Sequence, residues 1–88
     1  MSEEALKLDP SCSAANSYAR WLDIDGNIRK ERFYVLGITL YYDEEHKLHR
    51  LDGPADESAS YSGWYYHGEQ FDCSTQQEFE RILKLKAF

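Results

Sequence analysis

Eighty-eight residues suffice for one domain with a single modest core, and are too few for a cleft between two domains. With 16 acids against 10 bases the net charge is −6, which disfavours direct contact with nucleic acid and favours basic protein surfaces. No run of about 18 apolar residues occurs, and the acidic start Met1-Ser2-Glu3-Glu4 is unlike a leader, so no membrane partner and a cytoplasmic location are expected.

Residues 1–17 show little periodicity and read as a flexible lead-in or one short helix. A first strand over Tyr18–Ile24 should end at Asp25-Gly26-Asn27, since Asp-Gly suits a turn with positive φ. A second strand returns from Ile28 to Leu36. Gly37 allows a bulge or tight turn, leaving Ile38–Tyr42 as a third strand or as the continuation of the second. Asp43-Glu44-Glu45-His46-Lys47 is a polar loop. Asp52-Gly53-Pro54 reads as a turn, Ala55–Tyr61 as a strand, and Ser62-Gly63 as a further turn into Trp64-Tyr65-Tyr66.

At the C-terminal end Ser74 or Thr75 can cap a helix from about Thr75 to Lys84, with Gln77 and Glu78 three residues on. Phe79, Ile82 and Leu83, with Lys86, then share one face. The expected fold is therefore α+β: residues 18–88 form one small antiparallel β-meander of about four to six strands with the helix packed on one face. Its core must be aromatic, and Trp21, Phe33, Trp64 and Phe79 are expected to meet in it.

Phe33-Tyr34-Val35-Leu36-Gly37 aligns without gaps on Trp64-Tyr65-Tyr66-His67-Gly68, a period typical of stacked supersecondary units. His49-Arg50-Leu51-Asp52-Gly53-Pro54-Ala55, then Trp64-Tyr65 and Gly68, resembles the His-Arg-x-Asp-Gly-Pro-Ala and Trp-Tyr-x-Asn-Gly repeat of small bacteriophage and bacterial proteins, which are distantly similar to MORN repeats. The resemblance covers residues 33–83. His67 and Leu36 stand where the repeat has Asn, Glu69 where it often has Lys, and a single full turn motif is present. The resemblance implies a repeat-built sheet, a phage-like origin and a host bacterial cytoplasm; it implies no reaction.

The residues themselves point away from catalysis. His46, His49 and Glu45 could be imagined around a metal, but that spacing in extended chain sends the two rings to opposite faces and supplies no third ligand. Cys73, His67 and Asp72 lack a pocket in which to act as nucleophile, base and orienter. The glycines are scattered singly, so no phosphate-cradling loop occurs. No catalytic residue, metal or cofactor is expected, and Cys12 and Cys73 read as free thiols.

Charge is more suggestive. Between residues 43 and 72, eight acids face only Lys47 and Arg50, while the flanking segments nearly cancel. Asp43, Glu44, Glu45, Asp52, Asp56 and Glu57, with Tyr41, Tyr42, Tyr65 and Tyr66, are the candidate partner-binding residues, because carboxylates speed encounter with a basic surface and Tyr supplies rigid contact area. Joined to the resemblance, they suggest a phage-encoded, stoichiometric inhibitor of a host nucleic-acid-handling defence enzyme, of the anti-CRISPR or anti-restriction kind, acting by nucleic-acid mimicry. A structural or antitoxin-like module docking through an aromatic sheet face, on a partner or on a second copy as a homodimer, is the other reading.

Overall fold

The computed structural model describes residues 6–12 and 17–86. Its strands are β1 (Lys7–Leu8), β2 (Tyr18–Leu22), β3 (Ile28–Phe33), β4 (Ile38–Tyr41), β5 (Asp56–Glu57), β6 (Ser62–Tyr66) and β7 (Glu69–Phe71), followed by α1 (Gln76–Lys86). Each strand pairs antiparallel with the next, so spatial order equals chain order. The α+β meander with a C-terminal helix is as the sequence indicates, with seven strands rather than four to six. The strand expected over Ala55–Tyr61 shortens to β5, and the additional strands, β1 and β7, are pieces of two and three residues, too short to leave a periodic signal. One of them, β1, lies inside the supposed lead-in and pairs Leu8 with Trp21. Residues 1–5 and 13–16 of that lead-in fall outside the described residues.

Local chemistry explains most boundaries. Asp23 ends β2, its carboxylate accepting the N–H groups of Asp25 and Asn27 at 3.0 and 2.9 Å, while Gly26 takes the φ of 85° that closes the turn. Strand β3 stops at Phe33, three residues before the expected end, because Gly37 (φ 67°) donates its N–H back to the Phe33 carbonyl and makes Tyr34–Leu36 a loop. That decides for a separate β4. It also limits the echo between the two aromatic stretches, since Trp64–Tyr66 stays in β6 where Tyr34–Leu36 loops out. The expected turn at Ser62-Gly63 is corrected as well. The chain reverses earlier, where Ser58 N–H donates to the Tyr61 carbonyl, and Ser62-Gly63 opens β6. A Cβ on Gly63 would sit 2.8 Å from the Tyr61 hydroxyl, so a larger residue there would have to displace that ring.

Helix α1 begins at a variant of the capping box in which the acid reaches one residue beyond the cap. Thr75 Oγ1 accepts the Glu78 N–H at 3.2 Å, and Glu78 Oε1 accepts the Ser74 N–H at 2.7 Å, so Thr75 is the cap. Lys84 and Lys86 in the last turn complement the helix dipole. Phe79 turns inward and is fully buried against Phe71 and Trp64, with Ile82 and Leu83 beside it. The Trp64 indole N–H donates to Gln76 Oε1 at 2.8 Å, and Gln76 in turn donates to the Leu51 carbonyl.

The core therefore sits at the β6–β7 end, under the helix. Trp21 and Phe33, expected to join it, do not: every residue of β3 is half-buried, and neither ring belongs to the buried cluster of Trp64, Phe71 and Phe79. Trp21 instead carries the Lys30 ammonium over its ring at 4.8 Å. No helix among the described residues is long and apolar enough to cross a membrane.

Candidate functional site

Alternation along the strands divides the candidate residues between two faces. The register Arg20–Glu31–Leu40–Asp56–Gly63 runs across β2 to β6 and, with Tyr18, Tyr42 and Tyr65 at the same parity, defines a tyrosine face. Trp21, Lys30, Tyr41, Glu57, Trp64, Tyr66 and Phe71 lie on the opposite face, which α1 covers at its β6–β7 end. Tyr41 and Tyr66 are thus on one side, and Tyr42 and Tyr65 on the other.

On the tyrosine face Glu31 is the hub. Both its carboxylate oxygens are taken, one by the Tyr18 hydroxyl and one by the Tyr42 hydroxyl, each donating at 2.5 Å. Burial, then the neighbouring carboxylate, pushes the Tyr18 phenol up to about 12 and the Tyr42 phenol further still, so both remain donors at any physiological pH. Asp56, two strands away, is half-buried, and its burial raises its carboxyl above the usual range. Neither Tyr18 nor Glu31 stood out in the sequence. They become visible only when the β2–β3 register places Tyr18 beside Phe33 and Glu31 across from Leu40.

The other candidates are spread over structural duties. Asp43 is only 2% exposed. Its Oδ1 accepts the N–H groups of Glu45 and Lys47, both at 2.9 Å, and its Oδ2 lies 2.7 Å from His67 Nδ1. This repeats the Asp23 loop, with His46 at a φ of 64° in the role of Gly26. Burial works to raise the Asp43 carboxyl, but the His67 ring and the two N–H groups outweigh it and hold the group below its ordinary value. Glu44 and Glu45 are exposed on the loop, Glu45 pairing with Lys47 at 3.1 Å.

Asp52 and Glu57 both serve Arg50. Its guanidinium donates to Asp52 at 3.0 Å, to Glu57 at 3.4 Å and to the Pro54 carbonyl at 3.1 Å, and it stacks 4.0 Å over the Tyr41 ring. A Cβ on Gly53 would meet that guanidinium at 2.8 Å, and Ala55 is wholly buried. The stretch from His49 to Ala55 is thus a built crossing. Its first half bonds to Tyr41 and Tyr65, and its end, at Ala55, bonds to Tyr41 and Gly63, so a single chain segment fills the space between β4 and β6 on either side of a kink that Arg50 holds.

A shallow cleft of about 400 Å³ lies beside Tyr61, Gln70, Asp72 and Cys73. Burial pushes the Cys73 thiol up, away from the reactive thiolate, and His67 is held at Asp43. Cys12 and Cys73 are both free. Among the described residues no group of three or more His, Cys, Asp or Glu could hold a metal ion. Compared with family models, with curated proteins and with solved structures, the chain finds no match.

Proposed function

We propose that this protein is a non-enzymatic binding module that presents its acidic tyrosine face to a basic surface on a protein partner. The observation that carries the reading is the row Tyr18, Glu31, Tyr42, Asp56 and Tyr65 on the sheet side opposite α1, in which rigid aromatic area surrounds two carboxylates while Arg20 and Arg29 on the same side are held by Asp9 and Asp23. Such a surface combines electrostatic steering with anchors that act after encounter. Exposed Glu44 and Glu45 extend the negative field beyond the face. Arg50 draws Asp52 and Glu57 away from it, so the field is narrower than a count of acids in the sequence implies.

Strongly basic surfaces are the hallmark of enzymes that handle nucleic acid, because phosphate binding is electrostatic. A partner of that class, blocked stoichiometrically in the manner of phage-encoded anti-CRISPR or anti-restriction proteins, is the finer form of the proposal. The resemblance of residues 49–68 to phage repeat proteins and the net charge of −6 support it.

The test is capture of a partner with a tagged copy from bacterial cells, followed by binding measurements on the purified pair. Asp56→Lys, and Glu44→Lys with Glu45→Lys, should slow association, and binding should weaken from 0.1 to 1 M salt as the screening length falls from about 10 to about 3 Å. Tyr65→Ala should speed dissociation. A partner that binds all variants alike at both salt concentrations would rule this face out.

A further inference from the structure

All three histidines of the chain gather around the Asp43 loop, and their geometry is that of a clasp. His46 stacks on Tyr42 with ring centres 4.1 Å apart. His49 and His67 stack on each other at 3.9 Å, inclined by 17°. His67 forms the β6–β7 turn with Gly68, at φ values of 48° and 90°, and its backbone N–H donates to His49 Nδ1 at 3.0 Å. Gly68 N–H donates beside it to the Leu48 carbonyl at 2.7 Å. Two chain segments far apart in sequence are thus joined at one end of the sheet.

We propose that His49 is a proton-operated latch, which holds the Leu48–His49 segment against the β6–β7 turn while its ring is neutral and releases it when the ring takes up a proton. The reason lies in the acceptor. An imidazole nitrogen can receive the His67 N–H only through a free lone pair; once protonated, Nδ1 is itself a donor aimed at another donor. The stacking adds to this, since a charge on His49 would lie directly against the His67 ring 3.9 Å away.

The groups facing His49 are Asp43 and Glu44 on the loop, Arg29 on β3, and His67 and Tyr66 on the last hairpin. Burial, then His67, lowers the His49 proton affinity below the usual 6.5, with Arg29 acting the same way and Asp43 and Glu44 opposing. The core of Trp64, Phe71 and Phe79 does not include the latch, so release opens this end of the sheet and leaves the helix docked. The inference holds whatever the tyrosine face binds.

The experiment is an NMR titration of the full chain from about pH 7.5 to about pH 5, following the His49 ring nitrogens and the His67 and Gly68 amides. His49 should titrate below 6.5, the His67 amide shift should move with the same midpoint, and amide protection at His67 and Gly68 should be lost as His49 takes up its proton. The Phe79 amide should not respond. His49→Asn keeps an acceptor oxygen without a titrating proton, and should abolish the part of the His67 amide shift that follows the His49 midpoint. A His67 amide that ignores His49 ionisation in the native protein, or that titrates unchanged in His49→Asn, overturns the proposal. Should the variant fail to fold, the native titration decides alone.

Discussion

Replacing Phe79 by Ala tests the account of the core most directly. Among the described residues Phe79 is the one large side chain that is fully buried, and it meets Phe71 edge-to-face at 5.3 Å. An aromatic ring removes about 150–250 Å² from water, which at about 25 cal/mol per Å² is worth roughly 4–6 kcal/mol. Truncations of this kind cost about 3–5 kcal/mol when measured. The lower figure already takes a large part of the roughly 4–13 kcal/mol available to a chain of this length. The loss cannot be recovered by collapse, because the described residues buried beside it, Trp64 and Phe71, are both fixed in paired strands. Urea titration followed by Trp fluorescence and by far-ultraviolet circular dichroism should show the midpoint falling by the equivalent of about 3–5 kcal/mol. Trp21→Ala, at a half-exposed ring outside the cluster, should cost about 1 kcal/mol. If Phe79→Ala costs less than Trp21→Ala, the core has been placed at the wrong end of the sheet.

Further outcomes follow from the two aspartate loops and their surroundings. Asp43→Ala should lose about 1–3 kcal/mol in the same urea assay, because it strands the N–H groups of Glu45 and Lys47, while Asp43→Asn should recover part of this. Gly26→Ala should cost about 1 kcal/mol by thermal melting, and the effect is one of backbone alone, since a Cβ there meets nothing within 4 Å. Stability should fall in two steps with acid. His49 binds its proton less readily when folded, so its contribution is complete above about 6.5 and is lost as pH drops from there through the lower folded value. Asp43 is likewise held below 3.8, and its contribution survives to that pH and disappears beneath it. Urea midpoints between about pH 7.5 and 3 check both, and a midpoint that rises between pH 6.5 and 5 contradicts the first.

The elements with a strong local cause were legible in the sequence. The Asp25-Gly26 turn needs only a residue that tolerates positive φ, and the start of α1 needs only a hydroxyl with an acid three residues on, so both stand where local chemistry places them. The inward face of α1, with Phe79, Ile82 and Leu83, follows from helical period for the same reason. Pairing decided the rest. The strand read over Ala55–Tyr61 shrinks to the two residues of β5, because Ser58–Tyr61 turns and only Asp56–Glu57 pairs with both β4 and β6. The sequence lists eight acids between residues 43 and 72 but not their company. Asp43 is drawn inside its loop and Asp52 and Glu57 to Arg50, while Asp56 is left among tyrosines, because cross-strand register brings together residues that chain distance separates. The meeting of His49 with His67 lies furthest from sequence reach: it depends on a left-handed turn at one end of a hairpin arriving beside a kinked crossing, and neither segment alone carries a sign of the other.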